Sequence, residues 1–517
     1  MPPPAIIAAR DPKHAASRRA FLGSATAAAI STVVPTRAAS PSTDLLLIDP
    51  APRFELSPHL YMQFMEPLGT TDGSVEASWD HLQNRWRPDL VEATRQLAPP
   101  MLRWGGLFSG YYRWREGVGP RESRKPMHNL VWGGVESNQI GTLEFVDFCR
   151  QVGGAEPLIC VNFAGEGDPL WAKNVLGEMR AGDANEAADW VDYCNNPLNP
   201  DRRAHGQPVP LSVKFWQIGN ETSYAAQRLK KPAAIAGTIE FAKAMRAVDP
   251  AIQLIAWGDS GWAEEMIAQA GDHVQYVAFH HLFDPGAPCS DAEFRRDPAA
   301  TWDVLMRAVE RQERKIQEVR QQAGTFPLAM TESHFAMRGR NRCDLNSAWA
   351  VGVAYARFMN CHQRHGDVLK IANLGDFCGT RWQTNVVMLP TPGGKAYMMP
   401  VGHVAALYRK HTGTHFLRSA GGPEDLDVTA SRADDRIVAH VVNTHRTAAR
   451  TCVIAVNGLA VRAGKAFEIA ANPWAEVGAV PSGDAVNPLA VRMRDLADPA
   501  GPITFPPASV TAVELTL

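Results

Sequence analysis

The chain has 517 residues, of which 45% are hydrophobic and 21% are charged. This composition is typical of a globular protein and argues against fibrous repeats and long disordered stretches. Lys and Arg total 52 against 54 Asp and Glu, a formal net charge of −2. Because there is no basic excess to neutralise a phosphate backbone, nucleic-acid binding is not expected. Beyond the N-terminus, no run of about 18 apolar residues predicts a membrane span.

The N-terminal segment carries paired arginines, Arg18 and Arg19, before an Ala-rich, mildly apolar stretch over 23–34. This pattern is typical of a twin-arginine export signal, and the small residues around Ala39 suit a cleavage site. A tail with a chance pair of arginines is the alternative. We predict a signal peptide over 1–39 and a protein exported already folded, either periplasmic or secreted.

Eight cysteines are scattered along the chain and none forms a C-x-x-C pair. A structural zinc site of that common spacing is therefore not predicted. A disulfide after export stays open, although a chain of this length can build a core without one.

Short apolar runs alternate with amphipathic stretches over about three hundred residues, which is the pattern of buried parallel strands joined by helices. Eight such units predict a (β/α)₈ barrel over 57–404. An open doubly wound sheet is the alternative, but no G-x-G-x-x-G follows an early strand to support it. The predicted strands are 60–65, 101–104, 157–162, 213–218, 253–257, 276–280, 327–331 and 368–373, and predicted helices include 141–152, 232–248, 303–322 and 347–365.

The helical period fades after about Ala405, and short alternating strands separated by polar turns follow. These strands predict an antiparallel β-sandwich over 405–517, with the segment 44–56 pairing into it as an extra strand. The predicted strands of this part are 426–430, 437–443, 449–456 and 510–517.

Two carboxylates stand at the ends of predicted barrel strands. Glu221 follows the fourth strand in Trp216-Gln217-Ile218-Gly219-Asn220-Glu221, and Glu332 follows the seventh in Ala329-Met330-Thr331-Glu332. Each alone is equally consistent with a charge that caps a helix or pairs with an Arg. Together they are more specific, because the fourth and seventh strands face each other across the mouth of a barrel, where active groups gather.

Two carboxylates across a cleft are the machinery of glycoside hydrolysis. One is kept protonated and donates to the leaving oxygen, and the other is ionised and attacks the anomeric carbon. A separation of about 5–5.5 Å retains the anomeric configuration, and about 6.5–9.5 Å inverts it.

The sequence resembles family 51 of the glycoside hydrolases, which consists mainly of α-L-arabinofuranosidases with a barrel and a C-terminal β-sandwich. The resemblance runs from about residue 58 to about residue 413. It rests on Arg103-Trp104-Gly105-Gly106, Gly117-Val118-Gly119-Pro120-Arg121, Trp132-Gly133-Gly134-Val135-Glu136-Ser137-Asn138-Gln139-Ile140-Gly141-Thr142-Leu143-Glu144-Phe145 and Trp216-Gln217-Ile218-Gly219-Asn220-Glu221.

The resemblance implies a role for each matching residue. Glu221 is expected to be the general acid/base, Glu332 the nucleophile, and Asn220 the partner of the sugar hydroxyl beside the anomeric centre. Further residues are expected to contact the sugar: Glu66 grips furanose hydroxyls, Asn162 and Arg103 bind hydroxyls or orient a carboxylate, and Trp104 and Trp382 stack on sugar faces. For Arg103 a structural salt bridge is as well supported, and for Trp104 and Trp382 the alternative is packing at the barrel rim.

Several positions depart from the family pattern. Leu107 stands where the family usually has Asn, His281-Leu282-Phe283 where it prefers Tyr, and Asp376 lies in a segment that usually carries Gln. The catalytic pair is retained while the residues around the glycone change, so these departures bear on the sugar that is bound and not on the reaction type.

Adjacent His280 and His281 raise the question of a metal site. Because strands alternate faces, neighbouring residues of a regular strand do not both point inward. A hydrogen-bonding role for His280 in the pocket is therefore favoured over metal binding, and no metal or cofactor is expected. Asp259-Ser260-Gly261 predicts a turn.

The sequence thus predicts a retaining exo-glycosidase that acts on furanosides, most simply on terminal α-L-arabinofuranosyl groups of an oligo- or polysaccharide. The alternatives are the same fold acting on a galactofuranoside, a D-arabinofuranoside or a β-glucan, and a carbohydrate-binding protein without activity. Retention of both Glu221 and Glu332 argues against the last. Many family members are oligomers, so the resemblance leaves a homo-oligomer open.

Overall fold

The computed structural model describes residues 44–69, 73–163, 177–227, 229–290, 293–337, 344–380, 384–390, 393–479 and 485–517. The predicted signal peptide over 1–39 and the candidate Trp382 lie outside these residues. The first strand, β1 (Leu45–Glu55), precedes the barrel in the chain.

Eight parallel strands form the central sheet, and each neighbours the next in chain order. Their side chains are buried on both faces, as expected where a parallel sheet is covered by helices outside and packed side chains inside. The strands are β2 (Gln63–Met65), β3 (Met101–Trp104), β4 (Glu156–Val161), β5 (Phe215–Ile218), β6 (Gln253–Trp257), β7 (Tyr276–Phe283), β8 (Leu328–Phe335) and β9 (Leu369–Ala372).

The two edges of this sheet meet, so the sheet closes into a barrel. Met62, next to β2, bridges Asn373, next to β9, in parallel orientation. The backbone N–H of Met62 donates to the carbonyl of Ala372 at 3.0 Å. The (β/α)₈ barrel predicted from the sequence is therefore confirmed, and the open doubly wound sheet is excluded.

Two strands are longer than the sequence predicts. Strand β7 continues to Phe283 and β8 to Phe335, because the two keep pairing through His281 with Ser333 and Phe283 with Phe335. Glu332 therefore lies within β8 and not beyond its end. This extension raises β7 and β8 above the neighbouring strands at the barrel mouth.

Helices cover the outside of the barrel. The predicted helix over 303–322 is two helices, which break at Ala308. The helices are α1 (Val75–Ser78), α2 (Pro88–Leu97), α3 (Thr142–Gln151), α4 (Ala184–Asn195), α5 (Pro200–Ala204), α6 (Lys231–Val248), α7 (Ala263–Ala270), α8 (Pro298–Arg307), α9 (Val309–Ala323), α10 (Trp349–Arg364) and α11 (Pro400–Lys410).

A nine-stranded sheet follows the barrel and encloses a second apolar core, which includes Ile48, Leu417, Val441 and Phe505. Strand β1 is inserted between β10 and β13, as the sequence predicts for 44–56. Helix α11 occupies the first residues of the region predicted as sandwich. The strands are β10 (His415–Gly421), β11 (Leu426–Ala433), β12 (Arg436–Asn443), β13 (Arg450–Val456), β14 (Ala463–Ala470), β15 (Arg492–Asp495), β16 (Pro502–Phe505) and β17 (Ser509–Thr516).

Shorter strands decorate the loops, and they form pairs or a small three-stranded sheet. They span Trp79–Asp80, Arg85–Trp86, Met127–His128, Val135–Glu136, Asp376–Gly379, Asn385–Met388, Tyr397–Met398, Gly478–Ala479 and Ala485–Val486. In the described part of the chain, none of the helices has the length and apolar character needed to cross a membrane. The cysteines of that part are all buried and free, namely Cys149, Cys160, Cys194, Cys289, Cys361, Cys378 and Cys452.

Candidate active site

The turn after β5 presents Asn220 and Glu221 to the barrel mouth. Gly219 has a φ of +73° and Glu221 a φ of +52°, so the backbone is left-handed twice within three residues. Such a conformation costs a residue with a Cβ on the order of 1–3 kcal/mol, so the surrounding structure must hold Glu221 in place. The turn is held by Gln227, whose Nε2 donates to the Asn220 carbonyl at 3.0 Å.

His280 lies between the two carboxylates. Its Nδ1 is 2.9 Å from Glu221 Oε1 and 3.7 Å from Glu332 Oε2, and its Nε2 is 3.0 Å from Thr331 Oγ1. One oxygen of each glutamate and one ring nitrogen all lie within 4.8 Å of one another. This spacing falls near the value for retaining glycosidases and well short of that for inverting ones.

Arg103, at the end of β3, hydrogen-bonds Glu332 and the side-chain amides of Asn220 and Gln217. Its Nη1 donates to Glu332 Oε1 at 2.8 Å, its Nη2 to Asn220 Oδ1 at 2.5 Å, and its Nε to Gln217 Oε1 at 2.9 Å. The guanidinium has no exposed surface. Because all three contacts are made by one planar group, Arg103 fixes the relative positions of Glu332 and Asn220.

The two glutamates differ in what surrounds them. Burial raises the pKa of Glu221 to about 8; Arg103 lowers it and Asp259 raises it. Burial also raises the pKa of Glu332, but His280 and the bonded Arg103 oppose that rise. The raised pKa of Glu221 thus favours its protonated form, whereas the positive charge of Arg103 favours the anion of Glu332.

The imidazole of His280 is neutral at pH 7, because burial lowers its pKa to about 4. A neutral ring can accept the proton of Glu221 at Nδ1 while Nε2–H donates to Thr331. Glu221, His280 and Glu332 also lie close enough together to be possible metal ligands.

Glu66 lies directly after β2 and is 7% exposed. Its Oε1 accepts hydrogen bonds from the Phe108 N–H at 3.3 Å and from Trp132 Nε1 at 3.1 Å. Burial and the neighbouring Glu332 raise its pKa well above the usual range. Gly106 makes room for it, since a Cβ there would lie 2.2 Å from the Glu66 carboxyl carbon.

Asp376 and His334 form a second pair at the mouth. His334 Nδ1 lies 2.9 Å from the Phe335 carbonyl, which only accepts, so Nδ1 carries a hydrogen. His334 Nε2 then faces Asp376 Oδ1 at 3.5 Å, and that oxygen has no hydrogen-bond partner among the described residues. Burial raises the pKa of Asp376, and His334 lowers it. Asp376 Oδ1 can therefore accept a hydrogen bond from a bound ligand.

Asp259 organises the wall behind Glu221 and His280. Its carboxylate pairs with Lys315 Nζ at 2.5 Å. It also accepts hydrogen bonds from the Tyr224 hydroxyl at 3.0 Å and from the backbone N–H of His280 at 3.3 Å. Its negative charge contributes to the raised pKa of Glu221. The predicted turn at 259–261 is present, and its first residue, Asp259, is the one that affects the pKa of Glu221.

The comparisons with known proteins agree with this geometry. Residues 93–294 match the family model of the alpha-L-arabinofuranosidase 1 domain. An alpha-L-arabinofuranosidase C of Emericella nidulans is 34% identical over 217 residues, 40% of each chain. An exo-alpha-(1->6)-L-arabinofuranosidase of Bifidobacterium longum is 31% identical over 253 residues, 45% of each chain. The chain spans less than half the length of the curated relatives it matches.

The solved structures extend the likeness to nearly the whole chain. The alpha-L-arabinofuranosidase of Thermotoga maritima, in an arabinose complex, has a TM-score of 0.74 at 24% identity and covers 92% of this chain and 100% of its own. The chain is thus similar to alpha-L-arabinofuranosidases in sequence over 40–45% of its length and in fold over nearly all of it. The family resemblance and the barrel with a C-terminal sandwich, both predicted from the sequence, are confirmed.

Two of the predicted sugar-binding residues, Asn162 and Trp104, make no hydrogen bond to Glu221 or Glu332. Asn162 donates through Nδ2 to the carbonyls of Tyr112 at 3.1 Å and Arg180 at 2.8 Å. Trp104 is 2% exposed and packs against Phe108, among other aromatic rings. These contacts favour the packing alternative for Trp104, because its ring faces are covered. Trp382 lies outside the described residues.

Sequence reasoning missed several residues that shape the site. Gln217 was quoted within a motif but given no role. His334 lies two positions from Glu332 on β8, and the period of two places such a pair on one face. That signal was readable. Trp132 was quoted within a motif but given no role. Lys315 reaches the site from the middle of helix α9, and no local pattern distinguishes it from a surface lysine.

Proposed function

We propose that this protein is a retaining exo-glycoside hydrolase that releases terminal α-L-arabinofuranosyl groups from an oligo- or polysaccharide. The observation that carries the proposal is the pair of buried carboxylates within 4.8 Å, one bonded to Arg103 and the other with its pKa raised to about 8. The names of the relatives support the choice of glycone. The metal-free chemistry of two carboxylates needs no cofactor.

In the first step, an oxygen of Glu332 attacks the anomeric carbon while the bond to the leaving oxygen breaks. Glu221 transfers its proton to that oxygen. A glycosyl ester of Glu332 results, and Glu221 is left ionised. Arg103 prepares Glu332 for attack because its positive charge, 2.8 Å from Glu332 Oε1, favours the anionic form.

In the second step, a water molecule enters where the leaving group stood. Glu221, now a base, takes a proton from that water. The water oxygen attacks the anomeric carbon at the same time. The ester bond breaks, Glu332 returns to its anionic form, and Glu221 is again protonated. Two inversions give net retention of configuration.

Three polar groups are available to hold the glycone. The Nδ2 of Asn220 has no partner in the described part of the chain and can donate to the hydroxyl beside the anomeric centre. Glu66 and Asp376 offer buried carboxyl groups on the opposite wall, where two sugar hydroxyls can bind. Asp376, His281 and Leu107 replace the usual family residues, so we infer a glycone pocket that differs from that of ordinary arabinofuranosidases.

The same geometry serves another glycone equally well, and a galactofuranoside, a D-arabinofuranoside or a β-glucan is the alternative substrate. A protein that only binds carbohydrate is disfavoured, because it has no need of a strained Glu221 turn or of an Arg103 fork on Glu332. The decisive experiment is kcat/KM on a panel of nitrophenyl furanosides and pyranosides. We expect activity on furanosides; activity restricted to pyranosides would reject the glycone, and no turnover on any member would reject the enzyme.

Export is a second part of the proposal and rests on Arg18 and Arg19. In a bacterium with a twin-arginine exporter, the full chain should appear in the periplasm or medium. The double variant Arg18→Lys, Arg19→Lys should stay in the cytoplasm, whereas the matched Arg10→Lys variant should be exported. Equal export of all three would reject the signal. A homo-oligomer also stays a prediction, which light scattering on the purified protein tests.

A further inference from the structure

Three side chains of different chemistry meet on the outside of the barrel, between helices α9 and α10. Glu313 comes from α9, Cys361 from the last turn of α10, and His365 from the residue that follows that helix. One donor atom of each lies within 4.8 Å of the other two. None of these residues belongs to the carboxylate site described above.

The distances show how closely the donors converge. His365 Nε2 is 2.6 Å from Glu313 Oε1, and Cys361 Sγ is 3.2 Å from Glu313 Oε2. Cys361 and His365 are four residues apart, the spacing that stacks two side chains on one helix face. The backbone enforces this, since the His365 N–H donates to the Cys361 carbonyl at 3.2 Å.

We propose that Glu313, Cys361 and His365 form a zinc site on the outer helices, with water completing the coordination. A nitrogen, a sulfur and an oxygen donor are the mixed set that Zn²⁺ takes, whereas Mg²⁺ and Ca²⁺ prefer oxygen alone. Cys361 is fully buried and the Glu313 side chain is 34% exposed. The site is therefore shielded on the thiol side and reachable from solvent on the carboxylate side.

The protons balance without another reactant. Glu313 accepts the hydrogen bond of His365 Nε2–H and binds the metal as a carboxylate. Zinc binding breaks the S–H bond of Cys361 and releases that proton to solvent. The hydrogen on His365 Nε2 moves to Nδ1, which has no partner among the described residues, and frees Nε2 for the metal. One proton is released for each Zn²⁺ bound, so affinity rises with pH.

The arginines near the proposed zinc ligands pair with another carboxylate, that of Asp427. Arg364, between Cys361 and His365, points its Nη1 at Asp427 Oδ1, 2.8 Å away. Arg357 binds the other oxygen of the same carboxylate at 2.8 Å. His362 is also engaged elsewhere, because its Nε2 lies 2.8 Å from Gln312 Nε2. The three proposed ligands are thus left facing one another.

The test uses the full chain, stripped with a chelator and titrated with Zn²⁺ or Co²⁺ alone. We expect one zinc per chain that depends on Cys361, no competition from Mg²⁺, and a thiolate-to-cobalt charge-transfer band with Co²⁺. Cys361→Ser should abolish the band and weaken zinc binding at least about tenfold. The matched variant Cys149→Ser, a buried helical cysteine outside the cluster, should keep both.

Glu313→Gln provides a second variant, since its side chain is partly exposed and the thiol is kept. It should retain the band while zinc binding weakens. If Cys361→Ser is shown by circular dichroism to be unfolded, Glu313→Gln decides the question. An unchanged band in Cys361→Ser, or zinc affinity that neither variant alters, would overturn the proposal. Loss of metal from this site leaves the two-carboxylate chemistry intact, so hydrolysis is not the readout.

Discussion

Arg103 Nη1 donates to Glu332 Oε1 over 2.8 Å, from a guanidinium that has no exposed surface. These residues lie 229 positions apart in the chain, yet the barrel places them on strands whose carboxyl ends share one mouth. A buried charge pair of this kind contributes little net stability, but loss of one partner leaves an unpaired buried charge. The pair therefore acts mainly by keeping Glu332 ionised and in one orientation.

The first prediction concerns Glu332 as the nucleophile. Glu332→Ala should lower turnover by about 10⁴-fold or more, because no covalent intermediate can form. Added azide should restore part of the turnover by entering the vacated space and forming the inverted glycosyl azide. The measurement is product analysis by NMR. Unimpaired hydrolysis by the variant would reject the assignment.

The second prediction concerns Glu221 and pH. Its pKa is raised to about 8, so its proton is present below that pH and is lost above it. The kcat/KM for substrates with poor leaving groups should therefore fall as pH rises through about 8. Glu221→Ala should cost such substrates about 10²–10⁴-fold. Activated aryl glycosides should be spared in that variant and lose the alkaline limb. Equal losses on both substrate types contradict a general acid.

The third prediction concerns the Arg103 fork. Arg103→Met removes the positive charge beside Glu332, so the pKa of Glu332 should rise and the acid limb of the pH profile should move to higher pH. The free energy of unfolding should fall by about 3–5 kcal/mol, because Glu332 is left buried and unpaired. The double variant Arg103→Met, Glu332→Gln should regain part of that stability. An unmoved acid limb in folded Arg103→Met shows that the pair does not set the charge of Glu332.

The fourth prediction concerns Asp376 in the glycone pocket. Asn has nearly the shape of Asp and removes a buried carboxyl whose pKa burial raises, so Asp376→Asn should leave Tm unchanged or higher. If a sugar hydroxyl donates to this carboxylate, the same variant should lower kcat/KM on the best furanoside roughly tenfold to a hundredfold. This loss corresponds to about 1–3 kcal/mol of transition-state binding. Asp303→Asn, on the exposed face of α8, is the control. A lower Tm with full activity indicates a structural role instead.

The fifth prediction is that chelation does not affect hydrolysis. Both proton transfer and covalent catalysis are assigned to carboxylates, so no Lewis acid is required. We expect equal kcat/KM with and without EDTA, while zinc removal from the outer helices changes at most thermal stability. A chelator-sensitive kcat would contradict the two-carboxylate mechanism.

High efficiency confined to simple α-L-arabinofuranosides would separately contradict an altered glycone pocket.

Much of the barrel could be predicted because its signals are local. A buried parallel strand is a short apolar run, and eight such runs recur with helical stretches between them. Glu221 and Glu332 stood out because each carboxylate interrupts or follows such a run. The ends of β7 and β8 were not predictable, since their extra length depends on pairing with each other and not on either sequence alone.

The sequence by itself determined the eight strands, the sandwich that follows them, and the two carboxylates that face each other across the mouth. Only the tertiary structure decided that burial raises the pKa of Glu221, that Arg103 binds Glu332 and Asn220 together, and that Trp104 is covered by aromatic rings. Strand identity follows from neighbours in the chain, which the sequence contains. Charge states and exposed faces follow from burial and from distances between residues far apart in the chain, which exist only once the barrel has closed.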